Sequence, residues 1–192
     1  MVRDAEIRKS LREELVGRHA GEPDTRIVEE LGLCQGIARV DLAVVNGRLH
    51  GYEIKSESDT LSRLPAQIET YNRALEYVTI VVSPSHADKV VTLVPPWWGL
   101  VRAVKRAEQL RLVESRKPRP NPCIVPFALA QFLWRDEALQ VLADHGLADG
   151  MRSKPRAALW KHLCAAVPVD ELGSIVREKL KLRRGDWRSL EP

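Results

Sequence analysis

VDLAVVNGRLHGYEIK, running from Val40 to Lys55, is the stretch whose reading decides the fold. Two apolar arms flank Asn46-Gly47, and an Asn-Gly pair between alternating apolar residues is a strong hairpin signal. The first arm carries an acid at Asp41, and the second ends in Glu53, Ile54 and Lys55. Residues two apart in a strand share a face, so Glu53 and Lys55 project side by side while Ile54 points the other way. Charges set into an apolar sheet are costly unless they pair or hold a ligand. A Glu/Lys pair on a solvated face is the plain reading of such a tripeptide, and a built site is the other.

The hairpin poses a problem of register. A two-residue loop would pair Val45 with Arg48 and bring Asp41 opposite Tyr52, leaving Asp41 and Glu53 on opposite faces. The two acids share a site only if the register moves by one. A three-residue loop with Gly47 in the left-handed region would do this, as would a bulge at Gly51, since glycine within a strand often marks one.

Beyond the hairpin, Ser56 to Ser62 is polar, and Pro65 suits the first turn of a helix running to about Tyr77. Gln67 and Tyr71 lie one turn apart on one face of it, with Arg63 near its start. Residues 78–82, VTIVV, read as a strand buried on both faces.

The ordered set of Asp41, Glu53, Lys55, Gln67 and Tyr71 resembles the PD-(D/E)xK nuclease superfamily in its RecB-like branch, and within it a group of small stand-alone bacterial proteins. The resemblance covers roughly Asp4 to Val113, with Val40 in place of the proline of the family name. It implies an α/β fold with a restriction-endonuclease-like mixed sheet flanked by helices, and a metal-dependent deoxyribonuclease hydrolysing phosphodiester bonds. Asp41 and Glu53, with the carbonyl of Ile54 and an extra acid at Glu30, would hold Mg²⁺ or Mn²⁺, which prefer such oxygen ligands. Lys55 would orient the attacking water, Gln67 and Tyr71 would position Lys55 or a phosphate, and Arg39 and Arg63 would touch the backbone of DNA. A non-catalytic nucleic-acid-binding or adaptor protein keeping the same fold is the alternative. A homodimer or a larger defence or repair assembly is open to either.

Elsewhere the pattern is simpler. Ile7, Leu11 and Leu15 make residues 5–18 an amphipathic helix. TRIVEELGL, which contains Glu29 and Glu30, is ambiguous between strand and helical turn. His86 to Val94 reads as helix, while Trp97 to Val104 and Leu110 to Val113 read as closing strands, with the paired tryptophans as packing residues. RKPRPNP, residues 116–122, is a basic, proline-rich linker that separates a core at 1–115 from a helical module at 123–192. In that module Phe127 to His145, Ser153 to Val167 and a segment from Asp170 into KLKLRR read as helices, loosely similar to the DNA-binding modules of the SAP type.

Charge separates the two parts. Residues 116–192 hold 14 Lys and Arg against 9 Asp and Glu, and residues 1–115 hold 16 against 17. A basic surface apart from the acids suits phosphate binding, although solvated helix faces give the same asymmetry. Cys34, Cys123 and Cys164 are scattered without a C-x-x-C pair, and the five histidines have no metal-ligand spacing. No apolar run approaches the roughly 18 residues of a membrane span, and the charged start MVRDAEIRKS is unlike a signal peptide. A soluble, cytoplasmic protein without membrane contact is therefore expected.

Overall fold

A computed structural model describes residues 2–107 and 109–183. The fold is α/β, with a mixed six-stranded sheet in the order β1-β2-β3-β4-β5-β6 and helices on both faces. The strands are β1 (Arg26–Leu33), β2 (Ala38–Val45), β3 (Leu49–Lys55), β4 (Tyr77–Val82), β5 (Gly99–Arg106) and β6 (Gln109–Arg116). β3, β4 and β5 run parallel, which requires crossovers. Helices α2 (Leu64–Ala74) and α3 (Pro84–Leu93) supply them. The ambiguous TRIVEELGL segment is strand, paired along β2.

Helix α1 (Asp4–Arg18) buries Ile7, Leu11 and Leu15 against Leu42, Val44, Tyr52 and Ile54 on one face of the sheet. The other face carries the larger core. There Leu64, Tyr71 and Leu75 pack with Val78 and Ile80, and the same core continues into Leu129, Phe132 and Trp160 of the C-terminal helices. Those helices are α4 (Pro126–Ala130), α5 (Arg135–Asp144), α6 (Arg156–Ala166) and α7 (Val169–Leu182).

The expected Phe127–His145 helix is broken between α4 and α5. The backbone carbonyls of Phe132 and Leu133 leave the helical ladder and accept hydrogen bonds from Arg183 and from the Trp160 indole. Glu137 closes the start of α5 by accepting the Trp134 N–H at 2.8 Å. Arg184, the last residue of the basic run, lies outside the described residues.

The 116–122 segment is strapped to the sheet. The Arg119 N–H donates to the Trp97 carbonyl at 2.8 Å, and the Asn121 side chain donates to the Asn72 and Leu75 carbonyls at 2.7 and 2.8 Å. Farther on, Arg177 pairs with Glu76 and Lys181 with Asp24. The paired tryptophans are packing residues, with Trp98 fully buried and its indole N–H on Asn72 at 2.9 Å.

The hairpin register is the shifted one. Val45 pairs with Leu49 and Leu42 with Tyr52, so the loop has three residues. Gly47 is not left-handed, because the Asn46 side chain makes the turn by accepting the Arg48 N–H at 3.1 Å. Gly51 is paired regularly with Ala43 and is not bulged. Its hydrogen serves close packing, since a Cβ there would stand 2.5 Å from a Leu75 methyl and 3.1 Å from one of Val40.

Candidate nucleic-acid interface

The register sets three carboxylates abreast. β1 pairs with β2 so that Glu29 faces Leu42 and Leu31 faces Val40, which brings Glu30 opposite Asp41. Continuing the β2-β3 register brings Asp41 opposite Glu53. Like charges directly across a sheet repel, so a row of acids must be neutralised by something close. The chain provides this from three directions.

Arg8 on α1 covers the first pair. Its Nη1 is 2.9 Å from Glu30 Oε1, and its Nη2 is 2.6 Å from Asp41 Oδ1. The other Asp41 oxygen accepts the Ile54 backbone N–H at 2.7 Å, at the point where β2-β3 pairing has ended. Glu53 is only 2 % exposed and Lys55 4 %. Lys55 Nζ donates to Glu53 Oε1 at 2.7 Å and to Gln67 Oε1 at 3.0 Å, while Gln67 Nε2 donates back to Glu53 Oε1 at 2.6 Å. The Tyr71 hydroxyl stands 2.6 Å from Glu53 Oε2 and 2.7 Å from the Arg39 carbonyl, and shares its one proton between them.

The electrostatics follow from burial. Desolvation first, and the Glu53 charge second, push the Asp41 carboxyl up to about 6, with the Ile54 amide and Arg8 only partly offsetting them. Burial and the neighbouring Glu53 raise the Tyr71 hydroxyl well above its ordinary range, so it stays a neutral donor.

Asp41, Glu53, Ile54, Lys55 and Gln67 line a cleft of about 580 Å³ together with Asp4, Glu30, Gly36, Ile37, Arg39, Asp59 and Arg63. Arg39 and Arg63 stand at its exposed rim, Arg39 with its guanidinium 3.8 Å from Glu30. The backbone here is strained. Glu30, Cys34 and Gln35, all at or beside the cleft, have left-handed φ of 56°, 49° and 60°. A non-glycine residue in that region costs about 1–2 kcal/mol, and such strain gathers at functional sites.

The residues singled out from the sequence therefore lie in one place. Ile54 joins them through its backbone N–H, which Asp41 accepts. Arg8 is a member of the site that the sequence does not mark, beyond its lying next to Ile7 on an amphipathic helix. Both oxygens of Asp41 and both of Glu53 already lie within hydrogen-bond reach of protein donors. Among the described residues, no three His, Cys, Asp or Glu side chains gather as a metal-binding group.

The helical part reaches this cleft. Arg156, at the start of α6, donates to the Gln35 side chain at 3.3 Å, next to the cleft-lining Gly36 and Ile37.

The sequence comparisons set aside the nuclease reading. The family model described as bacteriophage P4 protein cII matches residues 1–187. The chain belongs to that family. A curated relative, Protein cII of Enterobacteria phage P4, is 31 % identical over 124 residues, which are 65 % of this chain and 47 % of the relative. The match thus spans about half the length of that relative. No solved structure matches the chain. The expected membership of the PD-(D/E)xK superfamily, with the metal-dependent deoxyribonuclease function drawn from it, is therefore corrected to the cII family. In this cII-family chain the motif residues do converge, linked by hydrogen bonds at one cleft. The membrane expectation can be stated narrowly: among the described residues no helix is long and apolar enough to cross a membrane.

Proposed function

We propose that this protein binds nucleic acid without cutting it, holding phosphates along a basic rim that runs from Arg39 and Arg63 onto the start of α6. The observation that carries this reading is the Arg156–Gln35 hydrogen bond, which joins the basic helical part to the mouth of the cleft. It brings Arg156, one cation of the basic helical part, to the mouth of the cleft whose rim carries the exposed Arg39 and Arg63. Arg8 and Lys55 offset part of the charge of Glu30, Asp41 and Glu53, and Arg39 and Arg63 at the rim are cations that a polyanion would meet. Phosphate contacts of this kind give affinity with a steep salt dependence and little sequence information.

Fluorescence anisotropy with labelled oligonucleotides over a range of salt concentrations tests the reading. Affinity should fall with salt, and Arg39→Ala with Arg63→Ala should flatten the log–log slope by about 0.7–0.9 for each phosphate no longer neutralised. The labelled strands should remain full length after incubation. Absence of saturable binding at low salt would remove the proposal.

A further inference from the structure

We infer that the helical face is built for single strands, an inference that rests on the nucleic-acid reading above and narrows it. Between the 148–154 turn and α6 lies a groove of about 360 Å³ lined by Met151, Lys154, Ala158, Lys161, His162 and Ala165. Its lining combines the apolar Met151, Ala158 and Ala165 with the cationic Lys154 and Lys161, a combination suited to a flat apolar ring attached to a phosphate. A duplex keeps its bases stacked inside and offers phosphates alone, so the apolar lining would gain nothing from it. An unpaired base can be laid into such a groove while its phosphates meet the lysines.

A second feature points the same way. Trp134 is 41 % exposed, whereas Trp97, Trp98 and Trp160 are 7 %, 0 % and 1 % exposed. The Arg183 guanidinium lies 4.1 Å from the centroid of the Trp134 ring. The neighbouring Arg135 donates to the backbone carbonyl of Arg152, which ties the Trp134 turn to the segment forming the groove wall. Trp134 and the groove thus flank the same turn, an exposed aromatic ring beside apolar and lysine side chains. Aromatic stacking with interleaved positive charge is the chemistry that holds single-stranded nucleic acid without reading its sequence.

The experiment uses the full chain with labelled oligothymidine, oligouridine and a DNA duplex of matched length, at one ionic strength. Either single strand should bind about tenfold or more tightly than the duplex, and the two single-strand arms separate DNA from RNA. Trp134→Leu, which keeps apolar contact under Arg183, should weaken single-strand binding about tenfold and leave duplex binding unchanged, while Trp134→Phe should restore most of it. Lys161→Ala should flatten the salt slope for single strands. Indole fluorescence should be quenched by oligothymidine in the parent chain, and this change should be absent in Trp134→Leu.

If the duplex binds as tightly as single strands, or if Trp134→Leu leaves single-strand binding intact, this inference fails while the broader reading stands. If no nucleic acid binds, the broader reading fails. Displacement of oligothymidine by an equal concentration of polyglutamate would mark the face as a docking site for acidic protein and overturn the inference.

Discussion

Arg8 and Asp41 are joined twice: Arg8 Nη2 lies 2.6 Å from Asp41 Oδ1, and Arg8 Nη1 lies 3.2 Å from the Asp41 backbone carbonyl. The same Nη1 reaches Glu30 at 2.9 Å, so one guanidinium spans two strands and contacts two of the three acids in the row. Its planar fork makes this geometry, and a lysine could not reproduce it. The contact also fixes α1 over the sheet end at which the β2-β3 pairing stops, linking the packing of Ile7 and Leu11 to the electrostatics of the cleft.

Arg8→Ala should therefore be costly although Arg8 lies on a surface helix. It leaves Asp41 without its ion-pair partner and Glu30 with only Arg39 at 3.8 Å, at side chains 20 % and 28 % exposed. Loss of about 2–3 kcal/mol is expected, below the range for a fully buried pair because water still reaches both acids. Chemical denaturation measures it, with Arg12→Ala as the control, since Arg12 pairs with Glu29 on the exposed side. Equal, small effects of the two substitutions would show that Arg8 is an ordinary surface ion pair.

The Asp41 carboxyl is raised to about 6 from an ordinary 3.8. Its folded pKa exceeds its unfolded one, so its protonation stabilises the fold fully below the unfolded value, and that contribution is lost as pH rises through about 6. The amide of the Asp41→Asn variant has no proton to lose. It turns an N–H toward donors at Ile54 or Arg8, so the variant should be the less stable protein throughout. The gap in Tm between parent and variant should nevertheless narrow from about pH 4 to about pH 7. A gap that widens with pH would mean that Arg8 outweighs burial and Glu53.

How much of this was legible in the sequence follows from the range of each interaction. The hairpin and the shared helix face of Gln67 and Tyr71 rest on local patterns written along the chain, whereas the three-residue register is expected only as the condition for Asp41 and Glu53 to share a face. Arg8 was hidden because its partners lie 22 and 33 residues away and nothing in the α1 pattern marks it. The break between α4 and α5 was hidden for the same reason, since Trp160 and Arg183 act from 27 and 51 residues away. The nuclease function was overturned by the match of residues 1–187 to the cII family, a relationship that the residue types between Val40 and Tyr71 do not by themselves reveal.

Glu53 and Lys55 should be strongly coupled in a double-mutant cycle. Glu53→Gln leaves a buried ammonium short of a counter-ion, and Lys55→Met leaves a buried carboxylate with Gln67 and Tyr71 as its remaining partners. Each single change should cost about 3–5 kcal/mol, and the double change clearly less than their sum, because the uncompensated charge disappears with both. Additive costs would place the two side chains in separate, solvated surroundings, contrary to their burial.

Magnesium should act on this protein only as a salt. A Mg²⁺ ion needs oxygen ligands in near-octahedral array, and the carboxylate oxygens of Asp41 and Glu53 already have donors. Melting in MgCl₂ should match melting in NaCl of equal ionic strength, and EDTA should change nothing. A rise in Tm specific to Mg²⁺ and absent from Asp41→Asn would show that the acids exchange Arg8 for the ion.

Truncation after Lys117 should abolish folding rather than release a stable sheet. The cut removes Leu129, Phe132 and Trp160, which are 2 %, 3 % and 1 % exposed and belong to the same core as Tyr71, Leu75 and Val78. Each such side chain contributes about 2–3 kcal/mol on burial, against a net stability of about 5–15 kcal/mol for a whole domain. The cut also removes Asn121, whose side chain satisfies the Asn72 and Leu75 carbonyls at the end of α2, the helix that carries Gln67 and Tyr71. Without that end the Glu53 network loses its cover, so the damage should reach the cleft as well as the core. The fragment 1–117 should be insoluble or melt without a cooperative transition in calorimetry. A soluble fragment with a sharp transition would establish that the sheet and α1 to α3 suffice to fold, and would allow the nucleic-acid affinity of the two parts to be measured separately.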